Sequence, residues 1–180
     1  MLYILFFVSE LIFVCVSIAM IIHYVMSLFG GLRFAPFVPT TRKRVDLMIQ
    51  LAQITPGMRV IELGSGKGRI TIAAAQKGAI ATGYEADPVL VVWSRCVAWW
   101  KKATTASFQR ANIWTTVWPS EADIVFVYGL PRFMGRVWKK ACLELKPGTK
   151  IISNAFRIPG VEPKHVEDAI YVYSVERLDH

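Results

Sequence analysis

A glycine-rich stretch between residues 60 and 70 has the residue types and the spacing of a ligand-binding turn. Apolar residues lead directly into glycines at every second position, which are Gly64, Gly66 and Gly68. Glycine is needed where the backbone takes a positive φ or where a ligand touches the main chain. The helical pattern that follows would aim a helix N-terminus at that ligand. The stretch therefore predicts a buried strand, a turn and a helix arranged around a bound ligand.

The residues on either side of the glycines restrict the class of ligand. The dinucleotide fingerprint Gly-x-Gly-x-x-Gly would need a glycine where the chain has Arg69. A phosphate-binding P-loop would need Gly-Lys followed by Ser or Thr, and this turn has no such ending. Glu62 lies two positions before the first glycine. Because a carboxylate only accepts hydrogen bonds, it suits a positive or hydroxyl-rich group better than a pyrophosphate.

The rest of the chain predicts strands that alternate with helices. Strands are predicted at residues 59–63, 79–84, 105–110, 123–128, 150–153 and 169–175. Helices are predicted at residues 45–52, 69–76, 87–102 and 131–145. Strands that alternate with helices of this length form βαβ units. We therefore expect an α/β fold, with a Rossmann-like parallel sheet covered by helices on both faces.

Polar and aromatic residues follow the predicted strands at the edge where such a sheet binds ligands. Glu85 ends the second strand, Asn112 follows the third and Tyr128 ends the fourth. Two of them have plain structural alternatives, because Asn112 can form its own loop turn and Tyr128 can pack into the core. With the glycine turn, these residues form the candidate site.

The N-terminal segment differs in composition from the rest of the chain. Residues 2–29 are almost wholly apolar, and residues 11–32 contain no Asp, Glu, Lys or Arg. About 20 such residues, at a rise of about 1.5 Å each, cross a hydrocarbon core of about 30 Å. A signal peptide would begin with basic residues, and this chain does not. We therefore expect a transmembrane anchor over residues 1–30, a linker over 31–41 and a globular domain over 42–180.

Charge and cysteine usage restrict the compartment and the partners. Arg33 and Arg42 follow the apolar segment and no Lys or Arg precedes it, so the positive-inside rule places the globular domain in the cytoplasm or an equivalent compartment. The three cysteines have neither metal-ligand nor disulfide spacing, which predicts a reducing compartment and no metal site. The net charge of +8 favours an anionic partner. No nucleic-acid module is recognised, so we expect no nucleic-acid partner.

A series of short motifs runs from residue 36 to about residue 163. The stretch from Glu62 to Ile70 is similar to motif I of class I S-adenosylmethionine-dependent methyltransferases. The other motifs are Phe37-Val38-Pro39-Thr40, Gly83-Tyr84-Glu85, Val127-Tyr128-Gly129-Leu130-Pro131, Glu144-Leu145-Lys146-Pro147-Gly148 and Phe156-Arg157-Ile158-Pro159-Gly160. Together they resemble the small membrane-anchored lysine methyltransferases that modify adenine nucleotide translocase and the ATP synthase c subunit, and their prokaryotic relatives.

The resemblance implies S-adenosyl-L-methionine as cofactor and methyl transfer to a lysine amine. Glu85 would accept hydrogen bonds from the ribose hydroxyls, and Asn112, where many relatives have aspartate, would contact adenine. Tyr128, Phe37 and Phe156 would shape the channel for the amine. The residues implied to bind the cofactor are Thr40, Glu62, Gly64, Ser65, Gly66, Gly68, Glu85 and Asn112.

The resemblance also implies a protein substrate, which we expect in the same membrane as the N-terminal helix. The sequence leaves open two alternatives to a protein-lysine methyltransferase. The first is a methyltransferase that acts on a membrane-borne quinone or lipid, and the second is a non-catalytic protein that binds S-adenosylmethionine and assists assembly. The class of molecule that accepts the methyl group separates these three hypotheses.

Overall fold

The structure is a computed structural model that describes residues 2–31 and 40–176. Within the first range, side chains are described at residues 3, 6–22 and 24. The chain divides into two compact units, Met1–Phe37 and Val38–His180. Each unit is described separately below.

The first unit contains one helix among its described residues, α1 (Leu2–Gly31). Crossing a hydrocarbon core takes about 20 consecutive apolar residues in a helix. Judged on the residues that the structure describes, no helix is both long enough and apolar enough to do so. The predicted transmembrane anchor over residues 1–30 is therefore not supported, and the predicted single-pass membrane localisation is wrong.

The second unit contains the alternating strands and helices that the sequence predicts. Its helices are α2 (Arg42–Ala52), α3 (Arg69–Gln76), α4 (Pro88–Trp100) and α5 (Pro131–Glu144). Its strands are β1 (Arg59–Leu63), β2 (Ile80–Glu85), β3 (Ala106–Arg110), β4 (Ile124–Val127), β5 (Lys150–Asn154), β6 (His165–Glu167) and β7 (Ile170–Ser174). The predicted elements agree with these in type and in position to within a few residues.

One sheet joins all seven strands in the order β3-β2-β1-β4-β5-β7-β6. Strands β1 to β5 pair in parallel, whereas β7 runs antiparallel to both β5 and β6. The order reverses between β1 and β4, which are neighbours in the sheet although two strands and two helices separate β1 from β4 in the chain. The predicted Rossmann-like α/β fold is confirmed, but the sheet is mixed and not wholly parallel, because β7 is antiparallel to both of its neighbours.

The C-terminal hairpin differs from the sequence prediction. Strand β7 matches the predicted strand at residues 169–175, but β6 was not predicted. Strand β6 is only three residues long and exposed throughout, so it has no buried face that would give a sequence signal. The turn between the strands is Asp168-Ala169, with φ values of 45° and 55°. This turn lacks the glycine that usually indicates a two-residue hairpin.

Two apolar clusters cover the two faces of the sheet. Successive residues of β1 alternate between them, because Val60 belongs to one cluster and Ile61 to the other. Helices α2, α3 and α4 contribute to the first cluster, and α5 contributes to the second. The sheet is therefore buried on both faces, which leaves the ends of its strands as the place for a ligand.

Candidate functional site

The carboxyl ends of four parallel strands bring the candidate residues to one edge of the sheet. Leu63 at the end of β1 pairs with Tyr84 of β2 and with Val127 of β4. Glu85 at the end of β2 pairs with Arg110 of β3. The glycine turn, Glu85, Asn112 and Tyr128 all follow directly from these positions. They lie at the switch in strand order, where open α/β sheets bind ligands.

The backbone of the glycine turn has positive φ values, which residues with a Cβ rarely adopt. Gly64, Gly66 and Gly68 have φ values of 75°, 53° and 75°. The N–H groups of Gly64 and Ser65 both donate to the Tyr84 carbonyl, each at 2.9 Å. A Cβ on Gly68 would lie 2.6 Å from the nearest ring carbon of Phe108. The turn is therefore fixed to β2 and packed against β3 before α3 begins.

Glu85 is tied to the glycine turn through its carboxylate. Its Oε2 accepts from the N–H of Gly66 at 2.8 Å. Its Oε1 accepts from the N–H groups of Ala86 at 2.8 Å and Asp87 at 3.0 Å. An ionised carboxylate has about four acceptor positions, so three backbone donors leave room for a ligand hydroxyl.

Glu62 makes its contacts with helix α3. Its Oε2 accepts from the backbone N–H and from the hydroxyl of Thr71. Thr71 is the third residue of α3, so Glu62 satisfies one of the N–H groups that a helix leaves unpaired at its start. Burial raises the pKa of the Glu62 carboxyl to about 8, with a smaller contribution from Glu85 and against the hydrogen bonds from Thr71. In the structure this carboxyl binds the first turn of α3 and so holds the glycine turn, which leads into that helix, in place.

Ser65 lies inside the turn with a hydroxyl that has no partner. Among the residues that the structure describes, Ser65 Oγ is the one buried side-chain oxygen or nitrogen without a hydrogen bond. A Cβ on Gly83 of β2 would come within 2.7 Å of both Cβ and Oγ of Ser65. Gly83 belongs to one of the motifs named above, but its residue type alone predicted no role for it, since its local signal is a glycine inside a short apolar strand.

Asn112 is exposed and forms a turn with its own segment. Its Oδ1 accepts from the N–H of Trp114 at 3.0 Å, and its carbonyl accepts from the N–H groups of Thr115 and Thr116. This is the local turn that the sequence left open as an alternative. The Asn112 amide group keeps its two N–H donors for a ligand.

Thr40 lies beside the helix that follows the glycine turn. Its carbonyl accepts from Arg69 Nη1 at 2.7 Å. The N-cap of α2 is Thr41, whose hydroxyl accepts from the N–H of Arg44 at 3.4 Å. The segment before α2 is therefore joined through its backbone to the first residue of α3.

The aromatic residues proposed for the amine channel are partly described. The rings of Tyr128 and Phe156 are stacked, with centroids 6.3 Å apart and planes inclined by 24°. The carbonyl of Phe156 accepts from the Ser153 hydroxyl at 2.6 Å. Ala155 has a φ of 71°, which for a residue with a Cβ costs about 1 kcal/mol or more. Phe37, the third predicted wall, lies outside the described residues.

A buried polar residue that was not predicted from the sequence, Asn154, lies at the same edge. Asn154 ends β5, and its Oδ1 accepts from Arg44 Nε at 2.9 Å. Ser153 pairs with Val127, so Asn154 follows beside Tyr128. Arg44 also donates to the Asp168 carbonyl at 3.0 Å and so joins α2 to the C-terminal hairpin. A polar residue directly after the predicted strand at residues 150–153 was the signal that could have identified Asn154.

Comparisons with known proteins give several relatives that are described as methyltransferases. The family described as the ANTKMT methyltransferase domain matches residues 62–165, more than half of the chain. The lysine N-methyltransferase of the ATP synthase c subunit from Mus musculus is 34% identical over 145 residues, which cover 78% of this chain and 58% of that protein. Protein-lysine N-methyltransferase from Saccharolobus islandicus (strain REY15A) is 34% identical over 137 residues, which cover 73% of this chain and 83% of that protein.

The chain is also similar to solved structures. An RNA methyltransferase from Salinibacter ruber, in complex with S-adenosyl-L-homocysteine, matches with a TM-score of 0.73 and 31% sequence identity. The match covers 79% of this chain and 96% of that one. The chain spans 58%, 60% and 66% of the length of three curated mammalian relatives, from Mus musculus, Homo sapiens and Rattus norvegicus.

Proposed function

The chain belongs to the family of ANTKMT methyltransferase domains, and we propose that it transfers the methyl group of S-adenosylmethionine to a lysine side chain of a protein. Relatives that share about a third of its residues are named as lysine N-methyltransferases of the ATP synthase c subunit, of adenine nucleotide translocase or of proteins generally. The observation that carries the proposal is the Glu85 carboxylate bound to the N–H of Gly66 at the switch in strand order. We assign the catalytic domain to residues 42–180 and the linker before it to residues 31–41.

Cofactor binding is assigned to the glycine turn and the strand ends beside it. We assign Gly64, Gly66 and Gly68 to the cofactor: a Cβ on Gly64 would meet open space, whereas Gly68 lets the turn pack against Phe108. Ser65 offers a buried hydroxyl that has no protein partner among the described residues. The remaining acceptor position of Glu85 suits a ribose hydroxyl. A polar cofactor with a hydroxyl-bearing sugar therefore fits the groups present.

Three further residues complete the cofactor assignment with different contacts. The Asn112 amide would donate to adenine, since its N–H groups are not used in its own turn. Glu62 keeps α3 and hence the turn in place through Thr71. Thr40 accepts a hydrogen bond from Arg69, the first residue of α3, and we assign it to the cofactor site on this basis.

The lysine amine is assigned to the aromatic walls at the end of β4. Tyr128 and Phe156 stack there, and Phe37 would supply a third wall. An apolar, dehydrated surrounding disfavours a charged ammonium and so lowers the amine pKa. The walls thereby keep the nitrogen lone pair available and aligned, which is the main contribution that this chain makes to the rate.

The methyl group can pass directly from the cofactor to the lysine amine, without a covalent intermediate on the protein. S-adenosylmethionine, when bound, supplies an electrophilic methyl group on a sulfonium. The lysine ammonium would lose one proton to solvent before it reacts. The neutral Nζ would then bond to the methyl carbon as the carbon–sulfur bond breaks, which leaves a methylated lysine ammonium and S-adenosylhomocysteine. No nucleophilic side chain is needed, and the candidate site described above contains no cysteine and no histidine.

Transfer of a labelled methyl group tests the proposed function. The purified full-length chain is incubated with S-adenosylmethionine labelled in the methyl group and with protein, lipid and RNA fractions of cells. We expect label in protein, recovered as methyllysine after hydrolysis. Tyr128→Ala should reduce this labelling at least about tenfold, because the amine loses a wall. Trp99→Ala is the matched control, since Trp99 is 83% exposed on the outer face of α4.

The distribution of the label decides between substrate classes. Label found only in extractable lipid would support the alternative of a small-molecule methyltransferase. Label found only in RNA would make the chain similar in activity to its structural relative from Salinibacter ruber. Cofactor binding with no label in any fraction would support a non-catalytic protein. Each of these three results would contradict the proposal.

A further inference from the structure

Two arginines at the start of α5 are held in fixed positions by aromatic rings. Arg132 Cζ lies 4.8 Å from the centroid of the Phe133 ring, and Arg136 Cζ lies 4.3 Å from the centroid of the Trp114 ring. The two rings contact each other, with centroids 5.6 Å apart. Stacking of this kind restricts the guanidinium groups while their N–H edges stay in solvent. Both arginines are exposed.

Neither guanidinium has a carboxylate partner among the described residues. Ion pairs do occupy other basic residues of the same unit, such as Arg59 with Glu121 and Lys140 with Glu144. Arg132 and Arg136 are four residues apart on one helix, so their side chains are neighbours and their like charges repel. An anion bound between them would remove that repulsion.

The arginine pair follows the strand end that carries Tyr128 and contacts the segment that carries Asn112. Pro131, the first residue of α5, comes three positions after Tyr128, and the N–H of Phe133 donates to the Leu130 carbonyl at 2.9 Å. On the other side, the N–H of Trp114 donates to Asn112 Oδ1 at 3.0 Å. A substrate that delivers a lysine to Tyr128 therefore passes close to the pair.

We propose that Arg132 and Arg136 bind a carboxylate of the protein substrate close to the lysine that is methylated. The proposal rests on the proposed function and specifies its substrate class as a lysine in an acidic segment. Each guanidinium offers a fork of N–H donors that matches a carboxylate with two hydrogen bonds. One face of each ring is covered by a guanidinium group and is therefore not available for stacking with nucleic-acid bases.

The arginine pair also determines how binding responds to salt. Interactions between exposed charges are screened over about 8 Å at physiological ionic strength. Binding of an acidic substrate segment should therefore weaken as salt is added, whereas contacts of the lysine chain with the aromatic walls should not.

Peptide binding tests the proposal separately from turnover. Two fluorescent peptides are compared by anisotropy in the presence of S-adenosylhomocysteine, one with a lysine flanked by glutamates and the other with the same lysine flanked by glutamines. We expect the acidic peptide to bind at least about tenfold more tightly at low salt. The double variant Arg132→Gln/Arg136→Gln should bind both peptides with the affinity that the intact chain has for the neutral one.

Lys139→Gln is the matched control, because Lys139 is an exposed basic residue of the same helix. It should keep the preference for the acidic peptide. Thermal unfolding and calorimetric titration with S-adenosylhomocysteine show whether the double variant is folded and keeps its cofactor site. An equal loss of preference in the control variant would mean that general positive charge attracts the peptide, and would overturn the assignment to the arginine pair.

Two further outcomes would overturn the proposal. The first is equal affinity of the intact chain for both peptides. The second is tight binding of a single-stranded oligouridylate probe that the double variant loses, together with no preference for the acidic peptide, which would assign the pair to nucleic acid. Failure of the proposed function would be distinct, because it would appear as absent methyl transfer while the peptide affinities can still be measured.

Discussion

The carboxylates Glu62 and Glu85 lie near the same glycine turn but differ in their surroundings. Glu85 is partly exposed and accepts from three backbone N–H groups, one of which belongs to Gly66. Glu62 is buried, and both of its contacts are with Thr71 at the start of α3. Burial raises the pKa of Glu62 to about 8, so this carboxyl is protonated over a range in which ordinary carboxyls are charged.

The raised pKa of Glu62 predicts a particular dependence of stability on pH. The folded pKa of about 8 lies above the ordinary value of 4.5, so between these values the folded chain binds a proton that the unfolded chain releases. The free energy of unfolding should therefore fall as pH rises through this interval. Glu62→Gln keeps an oxygen for Thr71 and removes the titration. Urea unfolding of both proteins from about pH 5 to about pH 8 measures the difference.

We expect the intact chain to lose at least about 1.4 kcal/mol more than Glu62→Gln over that interval, which is the value of one pKa unit. Other titrating groups are common to both proteins and cancel in the comparison. Parallel pH profiles for the two proteins would show that Glu62 titrates normally in the folded state.

Gly83 is the residue whose substitution should most directly disturb the interior of the turn. A Cβ there would lie 2.7 Å from Ser65 and 2.8 Å from the Phe108 ring. Overpacking of this kind costs about 1–3 kcal/mol. Gly83→Ala should therefore lower the free energy of unfolding by that amount in urea titrations, and should also weaken the binding of S-adenosylhomocysteine.

Gly135→Ala supplies the matched control for Gly83→Ala. Gly135 lies inside helix α5, and a Cβ there would meet no atom within 4 Å. Replacing a glycine in a helix by alanine stabilises by about 0.5–1 kcal/mol. Opposite signs for the two substitutions are expected, whereas a neutral Gly83→Ala would mean that Ser65 and Phe108 move aside without cost.

Among the elements, strand β7 positions the segment that carries Phe156. The N–H of Ile158 donates to the Tyr173 hydroxyl at 2.9 Å, and both residues are buried. Tyr173→Phe would leave that N–H without a partner, which costs about 1–3 kcal/mol. A decrease of this size in the free energy of unfolding, measured in urea, is expected.

Tyr171→Phe on the same strand separates this hydrogen bond from a general effect of losing a hydroxyl. The Tyr171 hydroxyl makes no hydrogen bond within the described residues, and Arg157 stacks on its ring, which phenylalanine retains. The control should change stability by less than about 0.5 kcal/mol. Equal costs for the two variants would contradict the role assigned to the bond between Ile158 and Tyr173.

The order of elements could be predicted from sequence because apolar strands and capped helices alternate clearly. Asp87 followed by Pro88 indicates the start of α4, and its carboxylate does accept from the N–H groups of Val89 and Leu90. Strand β6 could not be predicted, since it is short and exposed and obtains its hydrogen bonds only from β7. Its pairing depends on the folded hairpin rather than on a local pattern.

The candidate site could be predicted only in part. The glycines and Glu85 have a local signal, because positive φ and a carboxylate at a strand end can be recognised from residue types. The direction of the Glu62 side chain depends on where α3 packs, and Asn154 depends on Arg44, which is 110 residues away in the chain. Contacts of this kind are formed by tertiary packing and have no sequence pattern of their own.

At the scale of the whole molecule, the net charge of +8 agrees with an acidic substrate. Some basic residues are neutralised locally, as in the pairs Lys146 with Asp123 and Lys164 with Glu176. The arginine pair next to the candidate site is not neutralised in this way within the described residues. The position of the charge, more than its total, is therefore what we expect to select the substrate.

We propose that the glycine turn and Glu85 bind S-adenosylmethionine for methyl transfer to lysine. Calorimetric titration of the full-length chain with S-adenosylhomocysteine tests it most directly, with Glu85→Gln and Asp87→Asn compared under the same conditions. Losing a hydrogen bond to a charged group costs about 1.5–3 kcal/mol, so Glu85→Gln should bind at least about tenfold more weakly. Asp87→Asn keeps the cap of α4 and should bind as the intact chain does. No binding to the intact chain, or equal affinity in Glu85→Gln, would contradict the account.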